Sequence, residues 1–169
     1  MKVAKLIILQ IFWYVSIKFG DQYFIPVVGV SLYLTDFLIF KKTEKLGIKY
    51  LIFSLILIFS GMGMDKVFEA LEVLGWGEKF YPLELVGVWV IFPCYYYQFF
   101  KKFSSPLWLS FLMGAVFGPL AYYSGANINP SLNLQTSFTE ISLLSTSWGI
   151  FFFASICIFN KSFMKPIDR

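Results

Sequence analysis

Apolar residues fall into six long runs along the chain, at 3–19, 23–40, 46–64, 81–100, 106–123 and 141–159, separated by short polar or charged stretches. Each run holds about 17–20 residues. At ~1.5 Å per residue that length matches the ~30 Å hydrocarbon layer of a bilayer. Any one run reads equally as a buried core helix. Six in succession leave no polar face from which to build a water-facing surface, and the helix is one of only two backbone solutions in lipid. The pattern predicts an all-α polytopic membrane bundle of six transmembrane helices, one integral membrane domain over 1–169.

Two connections are more than plain turns. Segment 65–80, DKVFEALEVLGWGEKF, places Val67, Phe68, Leu71 and Leu74 at helical spacing, with Lys66, Glu69 and Glu72 between them. This predicts a short amphipathic helix on the outer membrane surface, ended by Gly75 and Gly77, with Trp76 and Phe80 at the interface. Segment 124–140 is polar and nearly uncharged. It ends in SFTE, where Ser137 and Glu140 have capping-box spacing. Ser105 and Pro106 are placed as N-cap and first-turn residues of the fifth helix.

Composition sharpens the class. The chain is 58% hydrophobic and 14% charged, with a mean hydropathy of +0.71, more apolar surface than a soluble domain of this size can hide. Charge then orients the bundle. Of 14 basic residues, Lys2, Lys5, Lys41, Lys42, Lys45, Lys49, Lys101, Lys102, Lys161, Lys165 and Arg169 fall on one side, and only Lys18, Lys66 and Lys79 on the other. The positive-inside rule predicts both termini in the cytoplasm. The first run has no small-x-small cleavage site and reads as a retained span.

The stretch SGANINPSLN holds an Asn-Pro pair, Asn129-Pro130, that is similar to the Asn-Pro-Ala loop of water channels. Such channels resemble two inverted halves with a pore arginine. Here there is no second copy, the outer loops hold no arginine, and Asn-Pro also serves to start a helix. A wider set of motifs reads differently. Gln10 and Trp13 lie early in the first helix, Asp65 closes the third, and Pro82 and Trp89 belong to an aromatic fourth. Gly118-Pro119-Leu120-x-Tyr122-Tyr123-x-Gly125 follows in the fifth, and Trp148 lies midway along the last. In this order they resemble a small family of bacterial inner-membrane proteins that constitute a domain of unknown function. The resemblance implies a multi-pass protein of the bacterial inner membrane, with genes near lipid-modifying enzymes. The chain departs from that pattern where CYYYQFF and YLTDFLIF stand in place of segments that carry histidine.

Ionisable groups inside lipid are costly and mark functional sites by default. Counting depth along each run sorts the polar residues into two layers. An outer layer gathers Asp65, Glu84, Tyr122, Tyr123, Asn127, Ser142 and Thr146; the first five are expected to bind a ligand, with Asp65 and Glu84 in a shared cleft roofed by the 65–80 helix and bounded by Tyr122 and Tyr123. An inner layer gathers Gln10, Trp13, Asp36 and Gln98. Gly114 and Gly118 form a GxxxG face for close helix packing. Pro119 frees a carbonyl one turn earlier. The chain has no histidine and two cysteines, Cys94 and Cys157, inside apolar runs. That excludes most histidine-based phosphotransfer, common metal sites and thiol catalysis. No cofactor, catalytic residue, metal or nucleic-acid partner is expected. The expected function is non-catalytic: binding, moving or presenting a membrane lipid or small apolar molecule, or partnering a membrane enzyme or a second copy. The alternatives are a carboxylate-based enzyme acting on lipid and, behind it, a proton-coupled transporter or channel.

Overall fold

The computed structural model describes residues 2–19, 23–44, 47–77, 80–100 and 106–163 and, within them, every side chain except those of 2–6, 43–44, 95 and 97–100. Six helices follow the six apolar runs: α1 Lys2–Phe19, α2 Phe24–Glu44, α3 Gly47–Ala70, α4 Leu83–Phe100, α5 Leu107–Ile128 and α6 Phe138–Phe163. Four of them, α2, α3, α5 and α6, are long and apolar enough to cross a membrane. Among the residues whose side chains are described, the apolar stretches of the other two run Ile7–Phe19 and Leu83–Cys94.

The shorter α4 is the central helix. Glu84, Leu85, Gly87, Trp89, Ile91, Pro93, Cys94 and Tyr96 are all buried. At 3.6 residues per turn such positions cannot share one face, so α4 is enclosed on all sides. Helices α1, α2 and α3 pack against it, while α5 packs chiefly against α6. Small residues set the closest approaches. A Cβ added to Gly29 of α2 would lie 3.4 Å from the carbonyl oxygen of Gly87 in α4. On α5, a Cβ at Gly114 or Gly118 would come closer than 3.0 Å to Trp148 of α6, and one at Gly149 would reach 2.7 Å from Phe111. The GxxxG face therefore packs helix to helix, as its spacing predicts.

The outside of the bundle is apolar, with Ile8, Ile11, Val27, Leu38, Phe59 and Ile150 all exposed. Its hydroxyls turn back into their own helices. Ser31 donates to the Val27 carbonyl and Thr35 to the Ser31 carbonyl, each at 2.8 Å. Lipid offers no partner for such groups, so the preceding turn supplies one.

Segment 65–80 departs from expectation. No separate surface helix forms among its described residues. Asp65–Ala70 simply continues α3, which stops in a Schellman motif. The Glu72 N–H bonds the Glu69 carbonyl and the Val73 N–H the Phe68 carbonyl, both at 2.9 Å, with Glu72 left-handed at φ 59°. Val73 and Phe68, each 1% exposed, supply the apolar contact that accompanies this stop. The helical spacing was real as far as Leu71, but burying Val73, Leu74 and Trp76 ends the helix before the glycines. The chain then forms a two-residue strand, β1 Leu74–Gly75, paired antiparallel with β2 Asn133–Leu134. This clasp ties the α3–α4 connection to the α5–α6 connection over one end of the bundle.

The Asn-Pro pair is a turn rather than a helix start. The Leu132 N–H bonds the Asn129 carbonyl at 3.0 Å. The Asn129 Oδ1 accepts the Ser131 N–H at 3.0 Å and the Ser131 hydroxyl at 2.7 Å. At the other end of α5, Pro106 holds the N-cap position itself, one residue ahead of its expected place, and Ser105 lies outside the described residues. Ser137 directly precedes α6, its carbonyl accepting the Ile141 N–H at 3.1 Å, but the capping-box bonds expected between it and Glu140 do not form, and Glu140 Oε2 is buried without a hydrogen-bond partner among the described residues.

Candidate functional site

The site is built around Asp65, one turn before the end of α3 and 0% exposed. Three elements send it hydrogen-bond donors. Tyr81, in the connection before α4, donates its hydroxyl to Oδ2 at 2.5 Å. Trp89 of α4 donates Nε1–H to the same oxygen at 2.6 Å. Tyr122 of α5 donates its hydroxyl to Oδ1. Among the described residues no cation joins them. Lys66, the next residue, turns away to Glu69 at 2.6 Å, to the Phe80 carbonyl and over the Phe80 ring at 4.7 Å. Burial, and behind it the Asp65 charge, holds the Tyr81 phenol well above its usual pKa, so it keeps the proton it donates.

Glycines make this cage possible. Gly61 stands one turn before Asp65 on the same face of α3, and a Cβ there would collide with the Trp89 ring. Trp89 in turn stacks on Trp148, with centroids 5.6 Å apart and planes 9° from parallel. Trp148 lies in the slot left by Gly114 and Gly118. Tyr122 is one turn beyond Gly118 and meets Trp148 at 5.9 Å and Phe68 at 6.1 Å, edge to face. Gly61 and the GxxxG pair are thus the spaces into which two indoles fit, and one of them, Trp89, aims its N–H at the carboxylate.

Beside the cage lies a cavity of about 720 Å³, within the range of about 300–1,000 Å³ for small-molecule sites. Its walls come from α1 (Gln10, Trp13, Ile17), α4 (Leu85, Val88, Trp89, Phe92), α5 (residues between Met113 and Ala126), α6 (Trp148, Phe152) and the residues at the clasp (Leu74, Trp76, Leu132). Asp65 and Tyr122 stand together on this wall, and Gln10 and Ser124 are further polar groups along it. Several lining residues of α1 and α5, namely Ile7, Phe117 and Leu120, are also more than half exposed on the lipid-like outer surface. The cavity therefore opens sideways between α1 and α5.

The structure divides the residues singled out from the sequence. Asp65 and Tyr122 come together at the cavity, and Gln10 and Trp13, assigned to a separate inner layer, line the same space. Glu84 is fully buried but off the cavity wall, its Oε1 accepting from Asn129 Nδ2 at 3.3 Å. It stands one turn before the lining residue Val88, at the very start of α4, where it meets the Asn129 turn rather than the cavity. Tyr123 is 56% exposed, and Asn127 donates Nδ2 to the Tyr123 carbonyl at 2.7 Å on the outer side of α5. Asp36 accepts the Tyr50 hydroxyl at 2.9 Å among the stacked rings of Tyr33 and Phe37. The Gln98 side chain lies outside the described residues. Sequence reasoning missed Tyr81 and Trp76 as site residues, and it read Trp89 and Trp148 only as parts of a motif. The available signal was Gly61, a small residue one turn before the acid that closes α3's apolar run. Among the described residues no three His, Cys, Asp or Glu side chains gather as a metal site.

Comparison with known proteins adds a family. The family described as "Protein of unknown function (DUF2878)" matches residues 2–154, and the chain belongs to it. No curated protein and no solved structure matches the sequence.

Proposed function

We propose, for a family that carries no assigned function, that this member is an integral membrane protein holding the apolar chain of a membrane lipid in the cavity between α1 and α5. One observation carries the reading: a mainly apolar, aromatic-lined space of about 720 Å³, open sideways to the lipid-facing surface, with Asp65 and Tyr122 and a few further polar groups on its wall. A ligand from water would need an aqueous mouth. A lateral gap between two helices with exposed Ile7, Phe117 and Leu120 instead admits an acyl or isoprenoid chain from the bilayer. The remaining two helices complete six spans, with both termini cytoplasmic in the bacterial inner membrane. The lysines support this: Lys41, Lys42, Lys49 and Lys161 lie at helix ends opposite the clasp. Holding or presenting a lipid suits a partner of a lipid-modifying membrane enzyme. A two-carboxylate enzyme would need both acids at one ligand, and Glu84 does not line the space that Asp65 lines.

Native mass spectrometry of the purified protein tests the reading. Gly125 lines the cavity, and a Cβ there meets only Ile17, at 3.9 Å. Gly125→Leu should therefore fill the space without displacing backbone. The wild type should retain a lipid-sized adduct that Gly125→Leu loses at unchanged melting temperature. An adduct equally retained by the variant, or none in the wild type, contradicts the proposal.

A further inference from the structure

We infer that the cavity selects its lipid by head group, accepting a head that donates hydrogen bonds and carries no negative charge, and rejecting phosphate and carboxylate heads. This rests on the lipid-holding reading above and specifies the class of ligand. Three observations lead to it. Among the described residues the lining contains no Lys, Arg or His, and its acidic group is Asp65. No described side chain of the wall can therefore balance an anionic head, while the Asp65 carboxylate repels one. In a water-poor cavity that repulsion acts without contact.

The second observation concerns the donors. Beside Asp65, the hydroxyls of Tyr81 and Tyr122 and the indole N–H of Trp89 are already committed to its carboxylate, while the buried indole N–H groups of Trp76 and Trp148 on the wall have no hydrogen-bond partner among the described residues and suit a head that accepts as well as donates, as a hydroxyl does. A phenol has one proton to give and keeps acceptor lone pairs afterwards. With its proton on Oδ1, Tyr122 has lone pairs left for a ligand, and those call for a donor. The third is the direction taken by Lys66. The cation nearest in sequence is held by Glu69 and the Phe80 carbonyl, so it does not reach Asp65 to cancel its charge. An alcohol such as a polyprenol or diacylglycerol fits these terms, as does a protonated long-chain amine.

Four probes sharing one chain isolate the head: 1-hexadecanol, hexadecylamine, hexadecyl phosphate and hexadecyl methyl ether. Binding to the full-length protein in detergent is read by intrinsic fluorescence, to which Trp13, Trp76, Trp89 and Trp148 of the lining contribute, and by native mass spectrometry. The alcohol or the amine should bind at least about tenfold more tightly than the phosphate and more tightly than the ether. Preference for the amine over the alcohol assigns a cationic head, and the reverse order a neutral one. Asp65→Asn should narrow the gap to the phosphate. Equal binding of all four probes, each blocked by Gly125→Leu, leaves the lipid cavity standing and overturns the head-group inference. So does a gap that Asp65→Asn leaves unchanged. Failure of every probe, or binding that survives Gly125→Leu, overturns the lipid-holding reading and this inference with it. Should Asp65→Asn not accumulate, the wild-type order of the four probes decides.

Discussion

Replacing Asp65 by Asn and by Leu separates the hydrogen-bonding role of this carboxylate from its mere burial. Leu is similar in size but accepts nothing. It would strand the Tyr81 and Tyr122 hydroxyls and the Trp89 N–H, three donors that now end on Asp65. A buried donor left unmade costs about 1–3 kcal/mol. Allowing for non-additivity and for rotation of the two hydroxyls, the loss should be about 4 kcal/mol or more. Asn has a way out. Its amide oxygen can face Tyr81 and Trp89, and its NH₂ can face Tyr122, whose hydroxyl both donates and accepts, whereas the indole can only donate. All three bonds then persist with Tyr122 reversed, at a cost of about 1–2 kcal/mol for weaker, neutral bonds. Thermal unfolding of the detergent-solubilised protein, followed by tryptophan fluorescence, measures both. Asp65→Leu should accumulate poorly and melt far below Asp65→Asn. Equal melting temperatures for the two variants would refute the cage as a stabilising unit.

Other predictions follow from the same geometry. Gly114→Ala and Gly118→Ala drive a methyl group against Trp148 and should each destabilise by about 1–3 kcal/mol. Gly63→Ala, with nothing within 4 Å of its added Cβ, should be neutral or mildly stabilising, so equal effects at all three sites would sink the slot argument. Glu72→Gly relieves a left-handed residue at the Schellman stop and should raise stability by up to about 1 kcal/mol; a drop in melting temperature would mean that α3 ends differently. Labelling of single cysteines should modify Lys45→Cys only from the cytoplasm and Glu72→Cys only from outside, and the opposite pattern would invert the topology.

Much of the architecture can be read from the chain because its apolar runs are long and sharply bounded. Six helices appear where those runs do, and four of them are long and apolar enough to cross a membrane. The end of α3 was not legible. The spacing of Val67, Phe68 and Leu71 continues a helix, and what stops it is the burial of Val73 against Phe68, a tertiary gain that no local pattern displays. The site was half legible. A buried acid at Asp65 and a ring at Tyr122 follow from depth counting, and the GxxxG pair announces a close approach. Depth alone cannot say around which side of a helix a residue faces, so Asn127 was grouped with the cavity although it bonds the Tyr123 carbonyl on the exposed side of α5, and Gln10 and Trp13 were assigned to a separate layer though they line the same space. Nor does spacing reveal that the glycine slot is filled by Trp148, or that Trp148 carries Trp89 to the acid. That chain of contacts crosses α3, α4, α5 and α6 and exists only once they are assembled.

An experimental structure of the protein in lipid nanodiscs tests the central claim most directly. The account predicts elongated density between α1 and α5, running past Trp13 and Gln10 and ending near Tyr122 and Asp65, with the Asp65 cage intact beside it. A cavity closed by α1 packed against α5, or one open and lined by ordered water with no chain-like density, would contradict it.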